Sequence, residues 1–239
     1  MVIKQIPNTI TAANLFMGCL SIVATFDGNL TQAAYFILAA AVLDFFDGFA
    51  ARMLHVHSEI GKQLDSLADM VSFGVAPGFI FYALSQEHLT FEYGFLQFVP
   101  IMVLCSYLPF LIMIFSGVRL AKFNIDTRQS DSFIGVPTPA NAMFICCIPF
   151  VLEHGPFFAQ EIFTSAGFLI LYPILMSYLL IAELPLFSLK FKQFAWKGNE
   201  IRYSFLLGGA ALILFFQYFG IGLSIILYVL LSLITHLRK

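Results

Sequence analysis

The sequence predicts an all-α membrane protein of about eight transmembrane helices with both termini on the cytoplasmic side. Three observations carry that reading. Of 239 residues, 60% are hydrophobic and 11% are charged, whereas a soluble domain carries about 25% charged residues. The apolar residues, 29 phenylalanines among them, fall in long blocks, which is the signature of membrane spans. The basic residues, set against those blocks, collect on one side.

A span needs about 20 largely apolar residues. Eight blocks reach or approach that length: 8–26, 32–54, 63–84, 93–118, 137–152, 162–184, 203–219 and 221–236. Backbone groups in lipid must be satisfied internally, and these blocks are too long for barrel strands, so they read as helices. The first contains Asn8, Thr9, Thr11 and Asn14, an atypical core for a cleavable signal, and reads as a retained span. The fifth is short and begins at Pro137, consistent with a tilted or partly interfacial segment. A tight turn near Gly220 separates the last two.

Orientation follows from the twelve basic residues. With eight spans, Lys4, Arg52, Lys62, Arg119, Lys122, Arg128, Lys190, Lys192, Lys197, Arg202, Arg238 and Lys239 share one side. The other side receives Asp27, Glu87, Glu92, Glu153 and Glu161. The positive-inside rule then makes the basic side cytoplasmic. Six spans would keep that orientation, and seven would divide the basic residues. Lys190, Lys192 and Lys197 around Trp196 read as an interfacial anchor on anionic lipid. Cys19, Cys105, Cys146 and Cys147 lie in apolar blocks without metal-type spacing and read as small reduced hydrophobes.

Spans two and three depart from lipid filler. Span two ends with Asp44, Asp47, Gly48, Ala51 and Arg52, and span three begins with Gly61, Asp65 and Asp69. A carboxylate inside a span costs about 2.5–3.5 kcal/mol even on a lenient scale, so four in one hairpin need compensation. At about 100° per residue, Asp47 lies about 60° around from Asp44, Gly48 about 40° and Ala51 about 20°. One face of span two therefore carries two carboxylates flanked by small side chains. On span three, Gly61, Asp65, Asp69 and Ser72 form a second stripe. The short link, about residues 55–62, predicts antiparallel neighbours whose stripes face one another. His55 and His57 in that link read as solvated loop residues. Carboxylates without histidine or cysteine select Mg²⁺ or Mn²⁺, with Ca²⁺ compatible, and four can hold two ions suited to phosphoryl chemistry. A proton or ion pathway in a transporter is the alternative use of intramembrane aspartates. Gly48, Ala51 and Arg52 instead favour a bulky anionic ligand.

From Asp44 to Asp69 the chain reads D-x2-D-G-x2-A-R-x8-G-x3-D-x3-D, with eight fixed residues at fixed intervals. This resembles the signature of the CDP-alcohol phosphotransferase family. The resemblance implies helices around a polar cavity open to the cytoplasm, a homodimer, and transfer of a phosphatidyl group from a CDP-linked lipid to an alcohol with release of CMP. It implies that Asp44, Asp47, Asp65 and Asp69 hold the metal, that Asp69 is also the general base, and that Gly48, Ala51, Arg52, Gly61, Asn8 and Thr11 meet the CDP-lipid. Helix capping by Asn8 or Thr9 is a compatible reading of the first segment. Residues 1–152 are then the catalytic core, and 153–239 add three spans to the same membrane domain.

Three further stretches narrow the acceptor. They are Met70 to Pro77, Arg119 to Asn124 (R-L-A-K-F-N) and Gly135 to Ala140 (G-V-P-T-P-A). Together they resemble the serine-using bacterial and archaeal branch of the family, which usually reads R-L-A-R-F-N and G-L-P-x-P-A-A. Lys122, Val136 and Asn141 depart from that pattern, and Lys122 keeps the charge without bidentate geometry. The resemblance covers residues 7–141. It implies CDP-diacylglycerol and L-serine as substrates among the membrane lipids, with no nucleic acid partner. Serine contacts are expected at Arg119, Lys122 and Ser72, although the first two also serve as positive-inside anchors. Glycerol phosphate, inositol phosphate and an ether-lipid donor remain alternatives.

Overall fold

The computed structural model describes residues 5–56, 58–91, 99–126, 132–187, 195–196 and 199–237. His57, Glu92, Lys4, Arg128, Arg238, Lys239 and the cluster of Lys190, Lys192 and Lys197 lie outside the described residues, as does the start of the fourth block.

Helix α1 (Ile6–Phe26) opens with Pro7 in its first turn, where a missing N–H costs nothing. It reverses through Gly28, whose φ of 77° suits glycine, into α2 (Leu30–Met53). Asn29 caps α2 by accepting from the Gln32 N–H at 2.9 Å. The two helices pack along their length through a seam of small residues. Ala24, Ala33, Ala34 and Ala40 are buried there, and the Ser21 hydroxyl donates to the Ala33 carbonyl at 2.9 Å.

The third long element is interrupted. Helix α3 (Glu59–Asp69) passes into a π-helical segment, Met70–Val75, and then into α4 (Ala76–Ser85) and a second π segment, Gln86–Phe91. Next come α5 (Val99–Cys105) and α6 (Pro109–Ile125), joined by a turn in which Ser106 Oγ donates to the Val103 carbonyl at 2.7 Å.

Helix α7 (Thr138–His154) packs on α2, and α6 packs on α9 (Ala166–Ile181). Helix α8 (Phe157–Thr164) meets α9 at a bend of 66°. The last helix, α10 (Glu200–Leu237), leaves helical geometry at Gln217, where φ is 49°. Its two arms fold back on one another. The Ser224 hydroxyl lies 3.3 Å from the Gly209 carbonyl, and a side chain at Gly220 would strike the Leu212 carbonyl. The hairpin expected near Gly220 therefore turns three residues earlier.

The all-α membrane class holds, with two qualifications. Among the described residues, five stretches are long and apolar enough to cross a membrane: Ile6–Phe26, Leu30–Met53, Glu59–Leu89, Ile101–Ile125 and Glu200–Thr235. The bent pair α8 and α9 makes a sixth when taken as one span. This is fewer than eight because α7 has only 17 residues and because the α10 hairpin passes as one stretch. Also unanticipated is a short antiparallel ribbon, in which β1 (Ser132–Ile134) pairs with β2 (Pro185–Phe187), Ser132 opposite Phe187. Gly135 follows β1 with φ of 74°, and a Cβ there would meet the Leu180 carbonyl at 2.5 Å, so only glycine fits this junction.

The outside is apolar. Phe26, Ile60, Ile125, Phe157, Leu214 and Phe215 are exposed, while buried polar side chains gather inside. That inversion of a soluble surface suits lipid.

Candidate active site

The site forms where α2 ends and α3 begins. Residue His55 takes a left-handed conformation in the link, and Ser58 caps α3 by accepting from the Gly61 N–H at 3.2 Å. Helices α2 and α3 face one another across a gap rather than packing closely, and each packs on α1. The gap between them becomes a cavity that α1 closes. Like charges on both helices and the space needed for a ligand account for the separation.

All four aspartates reach this gap. Asp44, Asp47 and Asp65 each offer a carboxylate oxygen within 4.8 Å of the others. Asp69 turns its carboxyl onto that of Asp44. Two carboxylates at such an approach are acceptors without a donor between them. Moreover, Asp47 Oδ2 and Asp69 Oδ1 are buried and have no hydrogen-bond partner among the described residues. Such groups cost about 1–3 kcal/mol each unless something satisfies them. Oxygen-only ligands at this spacing suit a hard divalent cation, so the residues fit the metal that the sequence implies.

Beside the carboxylates lies a cavity of about 300 Å³, lined by Thr11, Asp47, Gly48, Ala51, Gly61 and Asp65, together with Pro7, Asn8, Val56, Ser58 and Lys62. Of the six residues expected to meet the CDP-lipid, five line it. The sixth, Arg52, places its guanidinium 3.5 Å from where a Cβ on Gly48 would stand. Thr11 sits against the Asp47 carboxyl. Gly61 has a second reason to be glycine: a Cβ there would meet Asn8 Oδ1 at 2.9 Å, so it lets α3 close onto α1.

The three expected serine contacts separate. Arg119 is 6% exposed, its charge acts on Asp69, and its Nε lacks a partner among the described residues. Lys122, about one turn further along α6, is exposed. Ser72 does not continue the α3 stripe. It falls in the π segment, where the wider turn breaks the 100° spacing, and its hydroxyl donates to the Asn14 carbonyl at 3.0 Å. A Cβ on Gly18 would meet Ser72 Oγ at 2.6 Å, so this residue packs the α1 interface.

The sequence assigns no site role to five residues that the fold uses there. Ser58 could have been found from its position before Glu59, since serine at an N-cap is a local signal. Lys62 was read only as an orienting charge, yet it lines the cavity and its Nζ donates to the Asn124 carbonyl at 3.3 Å. The Asn124 amide in turn donates to Ser66 Oγ at 2.8 Å, fastening α6 to α3. Asn14, noted in the sequence only as a polar residue of the first block, is fully buried, and neither amide atom has a partner among the described residues.

Fold and site define a multi-pass membrane transferase with a carboxylate-rich centre at one end of its helix bundle. The chain belongs to the CDP-alcohol phosphatidyltransferase family, whose model matches residues 4–187. It is 34% identical over 177 residues to a Helicobacter pylori CDP-diacylglycerol–serine O-phosphatidyltransferase, covering 71% of this chain and 68% of that one. The enzyme of that name from Bacillus subtilis is 38% identical over 147 residues, 62% of this chain and 76% of its own. An archaetidylserine synthase from Methanothermobacter thermautotrophicus is 34% identical over 143 residues, 59% of this chain and 55% of its own.

Proposed function

We propose that this enzyme transfers the phosphatidyl group of CDP-diacylglycerol to the hydroxyl of L-serine, giving phosphatidylserine and CMP. The observation that carries the reading is the convergence of four aspartates from two helices beside a cavity bordered by Gly48, Ala51 and Gly61. The serine acceptor draws further support from the names of the relatives and from Arg119, a buried cation whose charge acts on Asp69.

In this reading Asp44, Asp47, Asp65 and Asp69 would hold two divalent ions, Mg²⁺ or Mn²⁺, which when bound would polarise phosphate oxygens and neutralise developing charge. Gly48 and Ala51 let the cytidine approach the helix backbone, and Arg52 meets the diphosphate. Arg119 takes the serine carboxylate and so brings the hydroxyl toward Asp69. The serine oxygen forms a bond to the phosphorus that carries diacylglycerol, the bond from that phosphorus to CMP breaks, and Asp69 accepts the hydroxyl proton. Ser72 and Lys122 have no part in this assignment.

The same reading takes the α10 arms and α7 as spans, giving eight crossings with the cavity and both termini on the cytoplasmic side. It keeps residues 1–152 as the catalytic core and the homodimer implied by the family. An ether-lipid donor is the second reading, favoured by the archaetidylserine synthase relative.

The test is CMP release by purified protein with Mg²⁺ or Mn²⁺ and CDP-diacylglycerol, offering serine, glycerol phosphate or inositol phosphate in turn. Serine alone is expected to drive turnover. CMP release that does not depend on serine would eliminate this acceptor, and a preference for the ether-linked donor would select the second reading.

A further inference from the structure

One cation that lines the cavity takes no part in the proposed transfer. Lys62 borders it together with Gly61 and Asp65. Asp65 lies three residues further along α3, a spacing that puts two side chains on one side of a helix. Lys62 therefore stands one turn from the carboxylate cluster, toward the link with α2. Its ammonium is held in place there. Nζ donates to the Asn124 carbonyl at 3.3 Å, and the Asn124 side-chain amide donates to Ser66 Oγ at 2.8 Å. Ser66 Oγ donates in turn to the Lys62 carbonyl at 3.3 Å. These bonds form a closed circuit across the junction of α3 and α6, so the last turn of α6 sets where the amine stands.

We propose that Lys62 is a second cationic contact for the donor diphosphate, in addition to Arg52. This rests on the reading of the cavity as the CDP-lipid site. Two divalent ions would balance the four carboxylates, so the negative charges of the diphosphate itself call for protein cations. Arg52 supplies one, and Lys62 supplies the other. An ammonium has three donors and no acceptor. Asn124 takes one of them through a long bond to a neutral carbonyl, which leaves two for a ligand. A phosphate oxygen makes a shorter, charge-assisted bond to the same group. The position points the same way. Lys62 lies in the first turns of α3, where the helix dipole disfavours a cation and favours an anion. Glu59 shares that end of the helix but is exposed. The Asn124 carbonyl thus keeps the ammonium at the cavity wall until a diphosphate arrives.

The experiment compares wild type, Lys62→Met and Lys62→Arg as full-length purified protein. It measures the dissociation constants of CDP and of cytidine by calorimetry, and the KM of each substrate from CMP release. Lys62→Met keeps the length of the side chain and removes its charge. It is expected to weaken CDP binding and to raise the KM for CDP-diacylglycerol by about tenfold each, the scale of a lost hydrogen bond to a charged group. Cytidine binding and the serine KM should move less than about twofold, because neither ligand carries a diphosphate. Lys62→Arg restores the charge and should return CDP binding to within about threefold of wild type. Unchanged CDP binding in Lys62→Met overturns the proposal. So does an equal loss for cytidine and CDP, which would make Lys62 a shaping residue of the nucleoside wall. A raised serine KM with CDP binding intact would assign Lys62 to the acceptor and also overturn it, as would a Lys62→Arg variant no better than Lys62→Met. A wild-type protein that binds CDP no more tightly than cytidine would instead remove the CDP-lipid reading of the cavity, and this proposal with it.

Discussion

The two ends of α2 show how differently one helix can be used. Toward Leu30 it is closed by packing: Ala33, Ala34, Ile37 and Ala40 are fully buried against neighbouring helices, and Ser21 and Asn29 satisfy the polar groups they meet. Toward Met53 it is held open. Asp44 and Asp47 face Asp65 and Asp69 across a gap, buried carboxylate oxygens lack partners, and glycine and alanine keep side chains out of the cavity. One end is arranged for stability. The other is left electrostatically incomplete until a ligand arrives, as expected of a site whose function opposes stability.

The sharpest way to break this comparison is to neutralise the open end. Asp69→Asn is expected to lower turnover by about 10²–10⁴-fold, the range of general-base removal. It should leave the protein folded, and its melting temperature in chelator should match or exceed wild type because one repelling charge is gone. Adding Mg²⁺ or Mn²⁺ should stabilise the wild type by ligand linkage and the variant less. CMP-release kinetics and melting curves with and without divalent ion check both halves. Near-normal turnover in Asp69→Asn would remove its role as base.

Much of this contrast was legible in the sequence, because the open end is made of residues that are expensive in a membrane. Four aspartates at helical spacing, with Gly48 and Ala51 beside them, identify the face without any structure. The helical blocks were legible for the same reason, since lipid permits little else. What escaped depended on local departures from ideal helix geometry or on distant parts of the chain. The π segment at Met70–Val75 turned Ser72 onto α1, and no periodicity argument foresees that. The role of α1 as the wall between α2 and α3 needed Gly18 and Gly61, whose close approaches appear only in three dimensions.

A smaller effect should come from filling the open end without touching its charge. Gly48→Leu places a branched side chain where the guanidinium of Arg52 now lies 3.5 Å from the Cβ position. The donor should be displaced, and kcat/KM for CDP-diacylglycerol should fall about 10²-fold, as for an ångström-scale misplacement. The serine KM should change little. Steady-state kinetics with each substrate varied in turn would show it. A Gly48→Leu enzyme with an unaltered donor KM would mean that the nucleotide does not use this wall.

The smallest expected effect lies at the closed end. Ser21→Ala removes the hydrogen bond to the Ala33 carbonyl, but that carbonyl faces a helical N–H as well, so no buried acceptor is orphaned. Interhelical hydrogen bonds in membranes average about 0.6 kcal/mol, which for a chain of this size lowers the melting temperature by about 2 °C. Substrate constants should not move, because Ser21 lies ten residues, nearly three helical turns, from Thr11 at the cavity. Thermal melts in detergent and CMP-release kinetics measure the two quantities separately. If Ser21→Ala altered the serine or donor KM, the closed end would be coupled to the open one, and the division of α2 into a structural half and a chemical half would fail.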